Sequence, residues 1–148
     1  MLEEGVTWFL VADGRRAKVL IELRRGAELQ EPQEWVLQIS ESELYDAVDR
    51  PPRAHDSTGP ARHAMDQGRN RHEEEEEKFL KRVASRIGEA ERHKAFDHLV
   101  IAAPPRALGL LRSLLPSGAQ ARVRAETPKD LLDETTPQLR ERLRELLR

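Results

Sequence analysis

The 148-residue chain has no cysteine, which excludes disulfides and thiol chemistry and fits a reducing compartment. It also lacks an excess of either charge. Asp, Glu, Lys and Arg make up 35% of the residues, yet the formal net charge is only -2, so the whole molecule is no general polyanion binder. Any attraction to nucleic acid must come from a local patch. Long apolar runs are missing as well. The first of them, Trp8 to Ala12, is far shorter than a membrane span, and Glu3 and Glu4 stand where a secretory signal carries positive charge. A soluble, cytoplasmic protein without a membrane partner is expected.

What is present is enough apolar sequence for one core. At 38% hydrophobic content, residues 1–148 are expected to form a single domain. Trp8 to Ala12 and Ala17 to Leu23 flank Asp13-Gly14, which predicts two strands joined by a tight turn with positive φ. Trp35, Leu37 and Ile39 alternate with Glu34, Gln38 and Ser40 and predict a third strand with one wet face. Phe79, Leu80, Val83, Ala84 and Ile87 recur at helical spacing, so a helix is expected from His72 to about Arg92, capped by Asn70 with Glu73 completing a capping box.

The run His98 to Ala103 has the look of a strand covered on both faces. Pro104 and Pro105 are expected to open a second helix carrying Leu108, Leu111, Leu114 and Leu115, with Pro116 as its stop. Ala119 to Glu126 alternates like another strand. Thr127-Pro128 and Thr136-Pro137 both resemble a helix cap followed by a first-turn proline, the second opening a terminal helix with Leu139, Leu143, Leu146 and Leu147 on one stripe. The expected fold is therefore α/β: a mixed five-stranded sheet, an antiparallel meander followed by strand-helix-strand crossovers, with helices on both faces as in ribonuclease H-like folds.

Residues 41–71 have too little apolar surface to order themselves and are expected to form a long mobile loop. Between Arg50 and Arg71 stand Arg50, Arg53, Arg62, Arg69 and Arg71 against Asp56 and Asp66, a local excess of three positive charges. Arginines in such a loop suit phosphate contacts, which position a protein on RNA without reading its sequence. The five glutamates Glu73 to Glu77 that follow are expected to favour the positive end of the helix dipole and to pair along the helix, Glu74 with Lys78 and Glu77 with Lys81.

Sharper chemistry finds less support. His55, Asp56, His63 and His72 are metal-ligand types, but their spacing matches no compact site, and neither a metal nor a cofactor is expected. His55-Asp56 with Ser57 as nucleophile has sequence adjacency without triad geometry. A two-metal nuclease would need converging carboxylates. Asp13 ends the first strand suitably, but the fourth ends in Ala102-Ala103-Pro104, with Asp97 only at its start.

The stretches WFLVADGRRAKVL, DSTGPARHAMD, RHEEEEEKFLKRVA, HLVIAAPPRALGLLR and VRAETPKDL together resemble the bacterial host attachment protein family, which is grouped with relatives of the central domain of archaeo-eukaryotic peptide-chain release factors. The resemblance spans nearly the whole chain and implies a mixed sheet with a long loop before the first long helix. In release factors that loop carries a Gly-Gly-Gln motif that assists hydrolysis of peptidyl-tRNA. Here the same place has Gly59-Pro60 and a reversed Gln67-Gly68, so that activity transfers to no residue of this chain.

The resemblance and the basic segment together imply a non-catalytic, release-factor-like module that contacts ribosomal RNA or tRNA. Its candidate RNA-binding or partner-binding residues are Arg53, His55, Asp56, Gly59, Arg62, His63, Arg69, Arg71, His72 and Arg106. No catalytic residue is assigned. Two alternatives stay open at this point. One is a hydrolase of peptidyl-tRNA or another RNA ester with His63 or His72 as general base. The other is a protein-interaction module whose glutamates dock a basic partner, with an indirect role in attachment to a host cell.

Overall fold

A computed structural model describes residues 4–44 and 61–148, with backbone only over residues 61–69. Its sheet is mixed. β1 (Thr7–Ala12) pairs antiparallel with β2 (Arg16–Glu22), and one edge of β2 carries two short antiparallel strands, β3 (Leu29–Gln30) and β4 (Val36–Gln38). On its other side β1 pairs parallel with β5 (His98–Ala102), and β5 with β6 (Val123–Thr127). The meander and the parallel crossovers are as expected, but the sheet has six strands, not five. The expected third strand is β4, shortened because Gln33–Trp35 closes into a 3-10 turn, and the additional strand is β3, which was not expected; Pro32, without an N–H for the ladder, stands between the two. Trp35 and Leu37 are buried while Val36 between them is exposed, so the alternation itself holds.

Four helices cover the two faces. α1 (Ala61–Arg92), α2 (Pro105–Leu114) and α3 (Ser117–Gln120) pack one side, where Phe79, Leu80, Val83 and Ile87 meet Trp8, Leu10, Leu99 and Ile101. α4 (Thr136–Leu146) packs the other, where Leu139, Leu143 and Leu147 meet Phe9, Val11, Leu20 and Val100. Successive residues of β1 and β5 thus feed different cores, which is why their sequences show no polar face and why all of their residues are buried. At the end of the α4 face where the parallel strands begin, register sets Thr7 beside both Glu22 and His98, all three buried. The carbonyl oxygen of Glu4 accepts a hydrogen bond from His98 Nε2 at 2.8 Å, so that nitrogen carries a hydrogen.

Several local expectations are corrected. α1 begins at Ala61, so residues 61–71 are helix and not loop, and Asn70 is an interior residue without a capping role. Of the rest of the expected mobile loop, residues 41–44 form a turn with Glu43 buried, and residues 45–60 lie outside the described residues. The glutamate run falls at positions 13 to 17 of the helix, beyond the reach of the dipole's first turn. Ala119 and Gln120 belong to α3, and the strand starts only at Val123. Thr127-Pro128 opens no helix because Thr127 still belongs to β6. At the terminal helix the cap is Thr135, one residue early. Its Oγ1 accepts from the backbone N–H of Gln138, whose side chain in turn accepts from the Thr135 N–H.

Candidate binding site at the carboxyl ends of the parallel strands

β1 and β5 lie side by side, yet the chain leaves them in opposite directions, from β1 toward β2, β3 and β4 and from β5 toward β6. Open α/β sheets place ligands in the crevice outside the carboxyl ends of the strands at such a divergence. Two connections meet there, residues 13–16 after β1 and Pro104 to Arg106 after β5. The middle of α1, at Glu75 and Glu76, meets both.

The Asp13-Gly14 turn is built by its own aspartate. Asp13 Oδ1 accepts from the backbone N–H groups of Arg15 and Arg16, each at 2.8 Å, and the Asp13 N–H donates to the Arg16 carbonyl at 2.9 Å. Its carboxylate therefore closes a turn. The positive φ expected at this turn is not used, since among the described residues it occurs only at Gly5, Gly26 and Lys94. Gly14 serves instead for close approach, because a Cβ there would stand 2.6 Å from the Glu76 carboxylate.

Glu75 and Glu76 are the two residues of the acidic run that the fold engages. Glu75 is only 6% exposed although charged. Its Oε1 lies 3.6 Å from Arg15 Nη1 and 3.4 Å from His72 Nδ1. Glu76 Oε1 accepts from Arg106 Nη1 at 3.2 Å. These contacts tie the helix to the ends of both β1 and β5. Glu73, Glu74 and Glu77 are exposed, as are Lys78 and Lys81, and the expected Glu74–Lys78 and Glu77–Lys81 pairs do not close.

A second set of contacts lies further along α1. Arg82 donates to both carboxylate oxygens of buried Glu43, at 2.6 Å from Nε and 3.0 Å from Nη2, and to the Gln38 carbonyl at 2.8 Å. This bond from Arg82 holds the Glu43 carboxyl below its ordinary range and raises the Arg82 guanidinium. Arg86 stacks on Trp35 with its guanidinium carbon 4.3 Å from the ring centroid. Residues 38–44 are thus clamped to the helix just before the chain enters residues 45–60.

Of the ten sequence-predicted candidates, Arg53, His55, Asp56 and Gly59 lie outside the described residues. Arg62, His63 and Arg69 fall within the α1 backbone, Arg71 is half-buried, and His72 and Arg106 are brought to the same crevice through Glu75 and Glu76. Sequence reasoning missed Gly14, Arg15, Glu75 and Glu76. A signal existed for the glutamates, since stepping four residues back from Phe79 and Leu80 on the apolar stripe reaches Glu75 and Glu76. Among the described residues no group of three or more His, Asp or Glu is arranged to hold a metal ion, and no helix is long and apolar enough to cross a membrane. A shallow groove between β3 and α4, lined by Leu29, Thr136, Pro137 and Arg140, contains none of these candidates.

No curated protein matches this chain. A family model described as protein required for attachment to host cells matches residues 8–143, which takes in β1 from Trp8 onward, all of β2 to β6 and α1 to α3, and most of α4. By that match the chain belongs to the host attachment family.

Proposed function

We propose that this protein is a cytoplasmic, non-catalytic binding module that contacts ribosomal RNA or tRNA through residues 50–71, in the manner of the release-factor central domain. On this reading its mixed sheet is a ribonuclease H-like scaffold for that segment. The observation that carries it is the early start of α1. Positions 62, 69 and 71 belong to the same continuous helix that packs on the sheet, so part of the basic segment is presented from a rigid element. Ala61 precedes Glu75 by 14 residues, about 21 Å at 1.5 Å per residue, and none of the residues 70–74 is buried. A helix of that length carrying arginines suits phosphates spaced along a nucleic acid backbone.

The test is sedimentation with purified bacterial ribosomes at low and physiological salt. The protein is expected to pellet in a salt-sensitive manner, and replacing Arg53, Arg62, Arg69 and Arg71 by alanine is expected to abolish pelleting. Undiminished pelleting by that variant sinks the assignment of the segment. A second reading, a protein-interaction module with an indirect role in attachment, draws on the exposure of Glu73, Glu74 and Glu77, which offer an acidic strip to a basic partner. Recovery of a protein partner that survives ribonuclease treatment, with no ribosome pelleting, would favour it.

A further inference from the structure

We infer that Glu75 and Glu76 are positioning residues that fix where the basic first half of α1 stands over the sheet. The inference rests on the reading of residues 50–71 as the interface. α1 is held in two ways along its length. From Phe79 to Ile87 it is bound by burial, with Phe79, Leu80, Val83 and Ile87 fully inaccessible to solvent. Burial sets how closely that half packs, but no apolar side chain is buried between Asn70 and Lys78. Over those residues burial does not fix the helix's angle to the sheet, and directional contacts are needed to set it.

The ion pairs stand at the place where burial ends. Glu75 reaches the turn after β1 through Arg15, and Glu76 reaches the first turn of α2 through Arg106. Two attachments on different strands resist rotation about the helix axis as well as tilt, which a single contact cannot do. Exposed ion pairs contribute little to stability, but Glu75 is 6% exposed and leaving it without partners would strand a charge. Gly14 completes the device. It leaves room for the Glu76 carboxylate, and any side chain at that position would push the carboxylate away from Arg106.

The absence of native cysteine makes distance labelling simple. Spin labels at Asn70→Cys on α1 and Lys129→Cys beyond β6, both exposed, report the position of the helix by pulsed electron resonance. A single narrow distance distribution is expected for the otherwise unmodified protein. Gly14→Ala and Glu76→Arg are each expected to broaden and shift it, and combining Glu76→Arg with Arg106→Glu is expected to restore it. Should Glu76→Arg fail to fold, Arg106→Glu breaks the same pair from a half-exposed position. A distribution that stays narrow and unshifted in Gly14→Ala and Arg106→Glu overturns the inference, as does failure of the exchanged pair to restore it. Ribosome pelleting of the same proteins is a separate readout: broadening and restoration as described, with no pelleting even by the parent, supports the positioning role and removes the RNA reading alone.

Discussion

The two halves of α1 are one helix held by different physics. Its C-terminal half presents Phe79, Leu80, Val83, Ala84 and Ile87 to the sheet and is fixed by apolar burial. Its N-terminal half, from Ala61 to Glu76, carries arginine, histidine and glutamate, and among the described residues Glu75 and Glu76 pair with Arg15 and Arg106 at the ends of β1 and β5. Burial is non-directional and strong, whereas ion pairs are weak but specify a partner and a geometry. The first half of the difference concerns stability and the second concerns presentation.

The comparison breaks most severely at Phe79. Phe79→Ala removes a fully buried ring and is expected to lower unfolding free energy by about 3–5 kcal/mol, measured by urea titration. Arg82→Ala is expected to cost about 2 kcal/mol in the same assay, because buried Glu43 loses its charged donor. It should also alter the acid limb. Since the folded-state pKa of Glu43 is lowered from 4.5, its contribution is present above that value and lost as pH falls through the lower folded value. The variant's stability is therefore expected to fall less steeply below about pH 4.5 than the parent's.

Smaller effects sharpen the boundary between the halves. Glu75→Gln keeps the shape and removes the charge, with an expected cost of about 1 kcal/mol. Hydrogen exchange should show its effect concentrated in residues 61–74 and not in the packed half. The smallest expected change comes from the variant with alanine at Arg53, Arg62 and Arg69, whose stability should stay within about 0.5 kcal/mol of the parent while ribosome pelleting is weakened. A large loss of stability in that variant would mean that the basic segment contributes to the fold, and the contrast between the halves would fail.

Much of the fold was legible because local pattern and tertiary environment agree. The alternation around Leu37, the unbroken apolar runs of β1 and β5, and the helical stripe of α1 each report the number of faces that are covered. The misjudged details lie where local signals compete. Asn70 has the chemistry of a cap, but the helix runs through it. The early start of α1 was hidden because residues 61–74 lack an apolar stripe, which made a helical segment resemble a loop. Of the candidate site, His72 and Arg106 were found as residue types, whereas Gly14 and Arg15 were not, since they lie some sixty residues before the Glu76 and Glu75 that they meet.

By itself the sequence determined that β1, β2, β5, α2 and the packed half of α1 lie where they do, that the sheet is mixed with helices on both faces, and that positive charge gathers between Arg50 and Arg71. Those properties follow from spacing along the chain, which side-chain geometry converts directly into faces. Helical spacing puts Glu75 and Glu76 on the stripe of Phe79 and Leu80, but only the tertiary structure decided what they meet there. Arg15 and Arg106 come from turns that are far from the helix in sequence, and only the pairing of β1 with β5 brings both to one place beside α1.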